Sequence, residues 1–518
     1  MYEYDVPEEE HIELPQSPNK LFSLAVGLLG DAAATIADSA LVTAREPAEL
    51  ATLTFAGTYF DAYLQSQLDD FAQGEFPILA SASFYLGGNP GSSKVLINQA
   101  TAPEPTVGAG LALLTYRLLR GDLGELPDGP YQQPGTSVLS NLSAYLSGEG
   151  SVDAVYNPAA SIRKDAYESG DGRELLYADL IAALVSKKVN AAAVTILPDA
   201  SGVDIDTWRP FLGRDGFPRE LWPSQQRICE AGVLLGKSAL IQMPTSAGKT
   251  RATELILRSG FLANRFSLAV MVCPFRSLCH DIRSDMAYAF AGDNVVINEA
   301  TDSFQEDLSI AELLEQKTVL IVTPEKLLYL LRRTPELAEQ IGLVVYDEGH
   351  QFDSGARGVT YELLLTSLKL LLAPETQIVL ISAVIANAPR IAKWLLSDPD
   401  LVVDGTGLLP TSRSIAFASW RNPLGRLEYV DPLDPEDVEF FVPRVIEKIS
   451  LEPRPKKPNE FPLEKNGPSV GTLSRPQTCR QRKRGSVLRP QGHRSQNLRG
   501  RGRLVRAYGR IRQTDRGV

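Results

Sequence analysis

The feature that most limits what this chain can fold into is PTSAGKT, Pro244 to Thr250, which follows an apolar run ending at Met243 and precedes the helix-like RATELILRSGFLA. A loop between strand and helix that closes on Gly-Lys-Thr gathers backbone N–H groups at a helix N-terminus, where anions are held. The setting predicts a phosphate cradle: Thr245, Ser246, Ala247 and Gly248 wrap the group, Lys249 reaches β and γ phosphates, and Thr250 holds magnesium. Met243 stands where the general pattern has its first glycine, so the loop departs from that pattern.

Short apolar runs recur on both sides of this loop: Leu240 to Met243, Leu268 to Cys273, Val319 to Val322, Leu343 to Tyr346 and Ile378 to Ile381. Helical stretches separate them, which predicts an α/β fold whose parallel strands place ligands at their carboxyl ends. One of those ends reads GLVVYDEGH. Asp347 there would bind magnesium through water, and Glu348 would orient and deprotonate an attacking water. An acidic pair can instead serve only to offset a helix dipole. The Lys249 loop about a hundred residues upstream favours the phosphate reading. His350 is one of four histidines and is expected to connect this site to a neighbouring segment, since no second metal ligand lies near it in sequence.

These marks together resemble the DEAD/DEAH-box helicases of superfamily two. PTSAGKT, DEGH and SAV (Ser382 to Val384) are similar to motifs I, II and III, in that order. Pro223-Ser224-Gln225 resembles the adenine-reading glutamine motif, with Gln225 preferred over Gln226. CPFRSL (Cys273 to Leu278) is similar to motif Ia and TPEKL (Thr323 to Leu327) to motif Ib. RGVTYE (Arg357 to Glu362) and SAVIANAPRIAKWL (Ser382 to Leu396) look like the Ski-like branch. The resemblance implies a RecA-like P-loop sheet, ATP and magnesium as cofactors, and single-stranded or partly duplex nucleic acid as partner. It also implies contacts to strand phosphates from Arg276, Thr323 and Pro324, and coupling of hydrolysis to strand separation through His350, Ser382 and Ala383. Val384 replaces the usual threonine of motif III, which removes a hydroxyl from that coupling.

Flanking regions are read from composition. The first 216 residues are expected to form a mostly helical accessory domain, either a packing scaffold or a module that binds a protein partner: Leu21, Leu24, Leu28 and Ala32 recur at helix spacing, as do Leu111, Leu114 and Leu118, then Leu176, Leu180 and Leu184. A large helical region ahead of a Ski-like motor is similar to helicases of bacterial antiviral defence systems. Residues 217–405 would form the ATP-binding domain and 406–452 the start of, or linker to, a second motor domain. From Arg454 on, 18 Lys and Arg face three acidic residues, so the net charge of -11 leaves the preceding body near -26. An acidic body argues against broad nonspecific sticking but not against strand binding by local groups.

That tail, 453–518, lacks helical or strand period and is expected to be disordered. YGRIRQTDRGV does not have the arginine arrangement of motif VI. Either the tail is a basic arm that attracts nucleic acid or the reading frame is interrupted. Interruption accounts better for a change placed where the second motor domain should begin, and it predicts an incomplete motor that hydrolyses ATP slowly and does not unwind. The other functional class is an ATP-switched interaction subunit, which would lack nucleic-acid-stimulated turnover. The acidic start MYEYDVPEEE does not read as a secretory leader. Apolar runs such as Leu363 to Leu365 look too short to cross a bilayer, so the chain is expected to be cytoplasmic, with no membrane partner. Cys229, Cys273, Cys279 and Cys479 do not form a disulfide framework or a CxxC pair and are expected to be reduced thiols.

Overall fold

A computed structural model of the chain describes residues 17–38, 47–65, 74–299 except 245, 315–350 and 355–412 except 384 and 386, with strand pieces 415–421, 424–430, 438–447, 449–450, 460–461 and 504–505. The expectations for Thr245, Val384 and nearly all of the basic tail therefore fall outside the described residues. Two compact units emerge, one of residues 27–54 and 81–410 and the other of 1–26, 55–80 and 411–518.

The larger unit is built on seven strands: β1 (Ala239–Gln242), β2 (Leu268–Val272), β3 (Val295–Glu299), β4 (Lys317–Val322), β5 (Ile341–Tyr346), β6 (Gln377–Ser382) and β7 (Val402–Asp404). Their order across the sheet is β3-β4-β2-β5-β6-β1-β7, and every pairing is parallel. Ile241 of β1 pairs with Ile381 and with Val403, and Val270 of β2 with Leu320 and Val344. Runs such as LAVMV and TVLIV supply the continuous apolar character of strands buried on both faces. Edge strand β3 is only half-buried along its length, and its sequence VVINE ends in polar residues. For that reason it lacks a full apolar run and is not legible as a strand by that criterion.

Each face of the sheet carries its own core. On one, Ile241, Met271, Ile321, Val345 and Ile381 pack in a common core with apolar residues of the helices Lys249–Leu262 and Arg276–Ala289, together with Trp208, Phe211 and Phe217 from the segment ahead of the sheet. On the other, Leu240, Val270, Leu320, Val344 and Leu380 share a core with residues of the helices Pro324–Arg333, Gly355–Leu371 and Ala388–Leu396. The parallel sheet with flanking helices is thus the architecture that the alternating pattern predicts.

Ahead of the sheet the chain is helical, with ten α-helices described between Pro18 and Leu212. Leu111, Leu114, Leu118, Leu180 and Leu184 are buried as the spacing predicts. In the helix Pro18–Asp38 the buried face is one residue displaced from the expected one: Ala25, Leu29, Ala33 and Ile36 are inside while Leu24 is half exposed. The helix is apolar on most sides, so its periodicity does not single out a face. The same composition corrects a second expectation. Asn19–Asp38 has a mean hydropathy of 1.5 over 20 residues and is long and apolar enough to cross a membrane by length and composition alone.

In the smaller unit, Phe22, Phe60 and Phe76 pack their rings 5.3 to 6.2 Å apart. After residue 410, β8 (Ile415–Arg421), β9 (Leu424–Val430) and β10 (Val438–Glu447) pair antiparallel, Leu504–Val505 adds a fourth strand on β8, and Ile449–Ser450 pairs with Glu460–Phe461.

A buried cation joins the helical segment to the sheet layer. Arg258, from the helix after the glycine-lysine loop, donates to Asp293 Oδ2 at 2.6 Å and to the Ala289 carbonyl at 2.7 Å. Its guanidinium carbon lies 4.5 Å from the Phe211 ring centre and 4.4 Å from that of Phe290. Arg214 of the helical segment donates to the other Asp293 oxygen at 2.5 Å. A guanidinium taken out of water is tolerated when charged acceptors and aromatic faces surround it, and here both Nη atoms are engaged while Nε has no hydrogen-bond partner. Arg258→Ala leaves Asp293 to Arg214 and Glu254 to Arg251, and the loss of its charged hydrogen bonds is expected to lower unfolding stability by about 1.5–3 kcal/mol. Chemical unfolding followed by tryptophan fluorescence checks this through Trp208, which lies in the same core.

Candidate nucleotide site

Parallel strands put their following loops on one edge of the sheet, and five of these loops hold the residues singled out from sequence. After β1 come Ser246, Ala247 and Gly248, then Lys249 and Thr250 opening a helix. Arg276 follows β2, Thr323 and Pro324 follow β4, Asp347 and Glu348 follow β5, and Ala383 follows Ser382 at the end of β6. Because β6 lies between β5 and β1, the acidic pair and the lysine loop stand two strand spacings apart, roughly 10 Å. Their side chains span that gap: Lys249 Nζ is 3.4 Å from Glu348 Oε2.

The loop conformation is set by two backbone requirements. Gly248 has φ +85°, and a Cβ on it would lie 2.7 Å from Gln225 Nε2, so glycine serves both the left-handed turn and the close approach. Ser246 adopts φ +76° and Glu348 φ +52°, conformations that cost a non-glycine residue on the order of 1–3 kcal/mol and persist where the surroundings impose them. At the acidic loop those surroundings are visible. Asp347 N–H donates to the Val272 carbonyl, Tyr361 hydroxyl donates to the Asp347 carbonyl, and Asp347 Oδ1 accepts the Glu348 N–H at 2.9 Å. A Cβ on Gly349 would meet Leu380 at 2.4 Å, so the chain must pass the end of β6 without a side chain there.

The two adjacent glutamines are distinguished by packing. Gln225 is 4% exposed, and its Oε1 accepts the Trp222 N–H at 2.9 Å. Gln226 instead donates to the Leu221 carbonyl and is half-buried. Sequence reasoning missed Ser224, whose hydroxyl donates to the Ala247 carbonyl at 2.8 Å and ties the glutamine segment to the phosphate loop. A serine between proline and glutamine carries no signal of its own for this, because the bond depends on where a loop 23 residues away returns.

His350 Nδ1 stands 3.3 Å from Glu348 Oε2 and 3.4 Å from Ser382 Oγ, which brings the acidic loop and the end of β6 together at one imidazole. Ser382 is fully buried and its carbonyl accepts the Met243 N–H. Arg276 is exposed at the start of its helix, Thr323 is half-buried and Pro324 is buried at the first turn of the next. β2 and β4 are neighbours, so these two loops lie side by side, on the far side of β5 from the lysine loop. Among the described residues no three His, Cys, Asp or Glu side chains cluster as a metal site. Cys229, Cys273 and Cys279 are buried and free.

Burial raises the Asp347 carboxyl to about 6, the neighbouring Glu348 charge adds to the rise, and Lys249 and the Glu348 N–H offset part of it. A carboxyl held high in the folded state binds its proton more tightly there than in the unfolded chain. Its contribution to stability is therefore present below the ordinary value near 4 and lost as pH rises through about 6. Asp347→Asn should flatten stability over that interval in the nucleotide-free protein, and Lys249→Ala should move the Asp347 midpoint upward. Unfolding midpoints measured from pH 4 to 7.5 check the first, and carboxyl infrared titration the second.

Comparison with known proteins agrees with this geometry. Residues 222–391 match the model of the DEAD/DEAH box helicase family. The chain is 27% identical over 259 residues to Hachiman protein HamB of Bacillus cereus, covering 49% of this chain and 23% of that protein. It is 32% identical over 192 residues to ATP-dependent DNA helicase Hel308 of Methanocella arvoryzae, covering 36% of this chain and 25% of the relative. For the Hel308 of Methanococcus vannielii the values are 33% over 239 residues, 45% and 30%. The chain thus spans between 23% and 30% of the length of these curated relatives. Residues 222–391, with the lysine loop, the acidic pair and the glutamine segment on one sheet edge, are a DEAD/DEAH box helicase domain.

Proposed function

We propose that this chain binds ATP with magnesium at the edge between β1 and β5 and hydrolyses it in response to a nucleic-acid strand. The observation that carries the reading is the 3.4 Å approach of Lys249 Nζ to Glu348 Oε2 across β6, which brings a phosphate-binding cation and a candidate base to one point. In this reading the β and γ phosphates take Lys249 from Glu348, and Ser246, Ala247 and Gly248 cradle them with N–H groups, Thr245 completing the loop. The donor set suits magnesium: Thr250 offers a hydroxyl and Asp347 a carboxylate that burial makes avid for a cation. The metal would offset charge on the phosphates.

Glu348, released from Lys249, orients a water and accepts its proton, while His350, whose Nδ1 faces its carboxylate, holds it in place. Gln225 reads the adenine edge from its position over Gly248. Arg276, Thr323 and Pro324 form the strand contact, sequence-independent because it is made to phosphates. His350, Ser382 and Ala383 join the two activities. Relatives named as ATP-dependent DNA helicases favour DNA as the strand. Unwinding also needs a second cationic surface to close on the γ-phosphate.

Lys249→Ala should weaken ATP binding ten- to a hundredfold, since a charged hydrogen bond is worth about 1.5–3 kcal/mol. Glu348→Gln should keep binding and lose strand-stimulated turnover. Calorimetry and steady-state phosphate release, with and without single-stranded DNA, check both. Equal affinity in wild type and Lys249→Ala removes the nucleotide from this edge, and stimulated turnover surviving in Glu348→Gln removes the base.

A further inference from the structure

A cavity of about 260 Å³ opens between the helices ahead of the sheet and the segment Glu220–Gln226. Four cations line it, Lys94, Arg120, Lys187 and Lys188, against one carboxylate, Glu220. That carboxylate is already engaged. Lys188 Nζ approaches Glu220 Oε1 at 2.6 Å, and the Tyr85 hydroxyl donates to Oε2. Lys188 is 4% exposed and sits 4.8 Å from the Tyr85 ring centre, so it is the buried cation of the set. Lys94 Nζ donates to the Arg120 carbonyl at 2.8 Å, and Arg120 Nη1 donates to the Tyr116 hydroxyl. These acceptors carry no formal charge. Partial burial and the like charges of Lys188 and Arg120 hold the Lys94 ammonium below its ordinary value, with Glu220 offsetting some of the effect.

Lys94, Arg120 and Lys188 are thus gathered around one concavity whose lining includes Glu220, in a body whose net charge is near -26 before Arg454. Gathering like charges at a low-dielectric wall is unfavourable without an anion to receive them, and such a wall focuses the field on whatever enters. Trp222 and Gln226 also line the cavity.

We propose that this cavity is a second anion site, distinct from the Lys249 loop, that takes a phosphate group. Lys94 and Arg120 supply the charge-assisted donors and Lys188 the field behind them. The phosphate belongs either to a small free molecule or to the end of a nucleic-acid strand, and both present the same chemistry. The site does not depend on the nucleotide reading of the β1 edge, because it can be tested with that edge disabled.

The probe is inorganic pyrophosphate, titrated by calorimetry into full-length Lys249→Ala, whose phosphate loop lacks its cation. Saturable binding is expected, weakened tenfold or more by adding Lys94→Gln or Arg120→Gln. Lys94→Gln alone, with Lys249 intact, should bind ATP as wild type does, which shows that its fold is preserved. A short DNA strand with a 5′-phosphate, compared with its 5′-hydroxyl form, separates the sources. A preference for the phosphorylated form that Lys94→Gln abolishes assigns a strand end, and equal binding of the two alongside pyrophosphate binding assigns a free anion. Absence of pyrophosphate binding to Lys249→Ala, or binding that neither Lys94→Gln nor Arg120→Gln changes, overturns the proposal.

Discussion

Two loops that follow parallel strands can face one another only across whatever strand lies between them, and here that strand is β6. Its insertion between β1 and β5 sets the separation of Lys249 from Asp347 and Glu348 and makes the end of β6 the floor of the site. Everything else at this edge follows from that spacing. Ser382 is buried because it closes β6 beneath the gap, Gly349 has no side chain because Leu380 fills the space it would need, and His350 reaches both Glu348 and Ser382.

Electrostatics then give the edge its character. Asp347 is placed where burial and an adjacent carboxylate both favour its protonated form, an arrangement that a cation would reverse. Lys249 is the cation at hand, 3.4 Å from Glu348 Oε2 and acting also on Asp347. The left-handed backbone of Glu348 is maintained by hydrogen bonds at Asp347 that fix the residue before it. The helical segment ahead of the sheet is held to this layer by ion pairs of the same kind. Asp293 bridges Arg214 and Arg258, and Glu220 is taken by Lys188 a few residues before the glutamine segment begins. The sheet and the helices Ala193–Ser201 and Ile205–Leu212 therefore share one core.

Much of the site was legible in the chain because its chemistry sits in contiguous loops. Lys249 and Thr250 follow a strand-like run, Asp347 and Glu348 follow another, and Gln225 is the amide buried beside Gly248. What was not legible has a common physical origin. Ser224 acquires its role from a carbonyl brought back by the chain at Ala247. Strand β3 is an edge, so polar residues are tolerated at its end and the apolar run that marks central strands is absent. The helix Pro18–Asp38 is apolar on several sides, so spacing alone chose the wrong face and concealed a length sufficient to cross a bilayer.

The cavity beside Glu220 is the clearest instance of what pattern cannot give. Lys94, Arg120 and Lys188 are separated by tens of residues and sit on different helices, and each alone reads as an ordinary surface or helix-end cation. By itself the sequence determined the alternation of strand and helix and the phosphate-loop and acidic motifs, because hydrophobic period and loop chemistry act over a few neighbouring residues. Strand order, the placement of β6, the partners of Glu348 and the gathering of distant cations around one cavity were decided only by tertiary structure, since each depends on where the backbone returns in space.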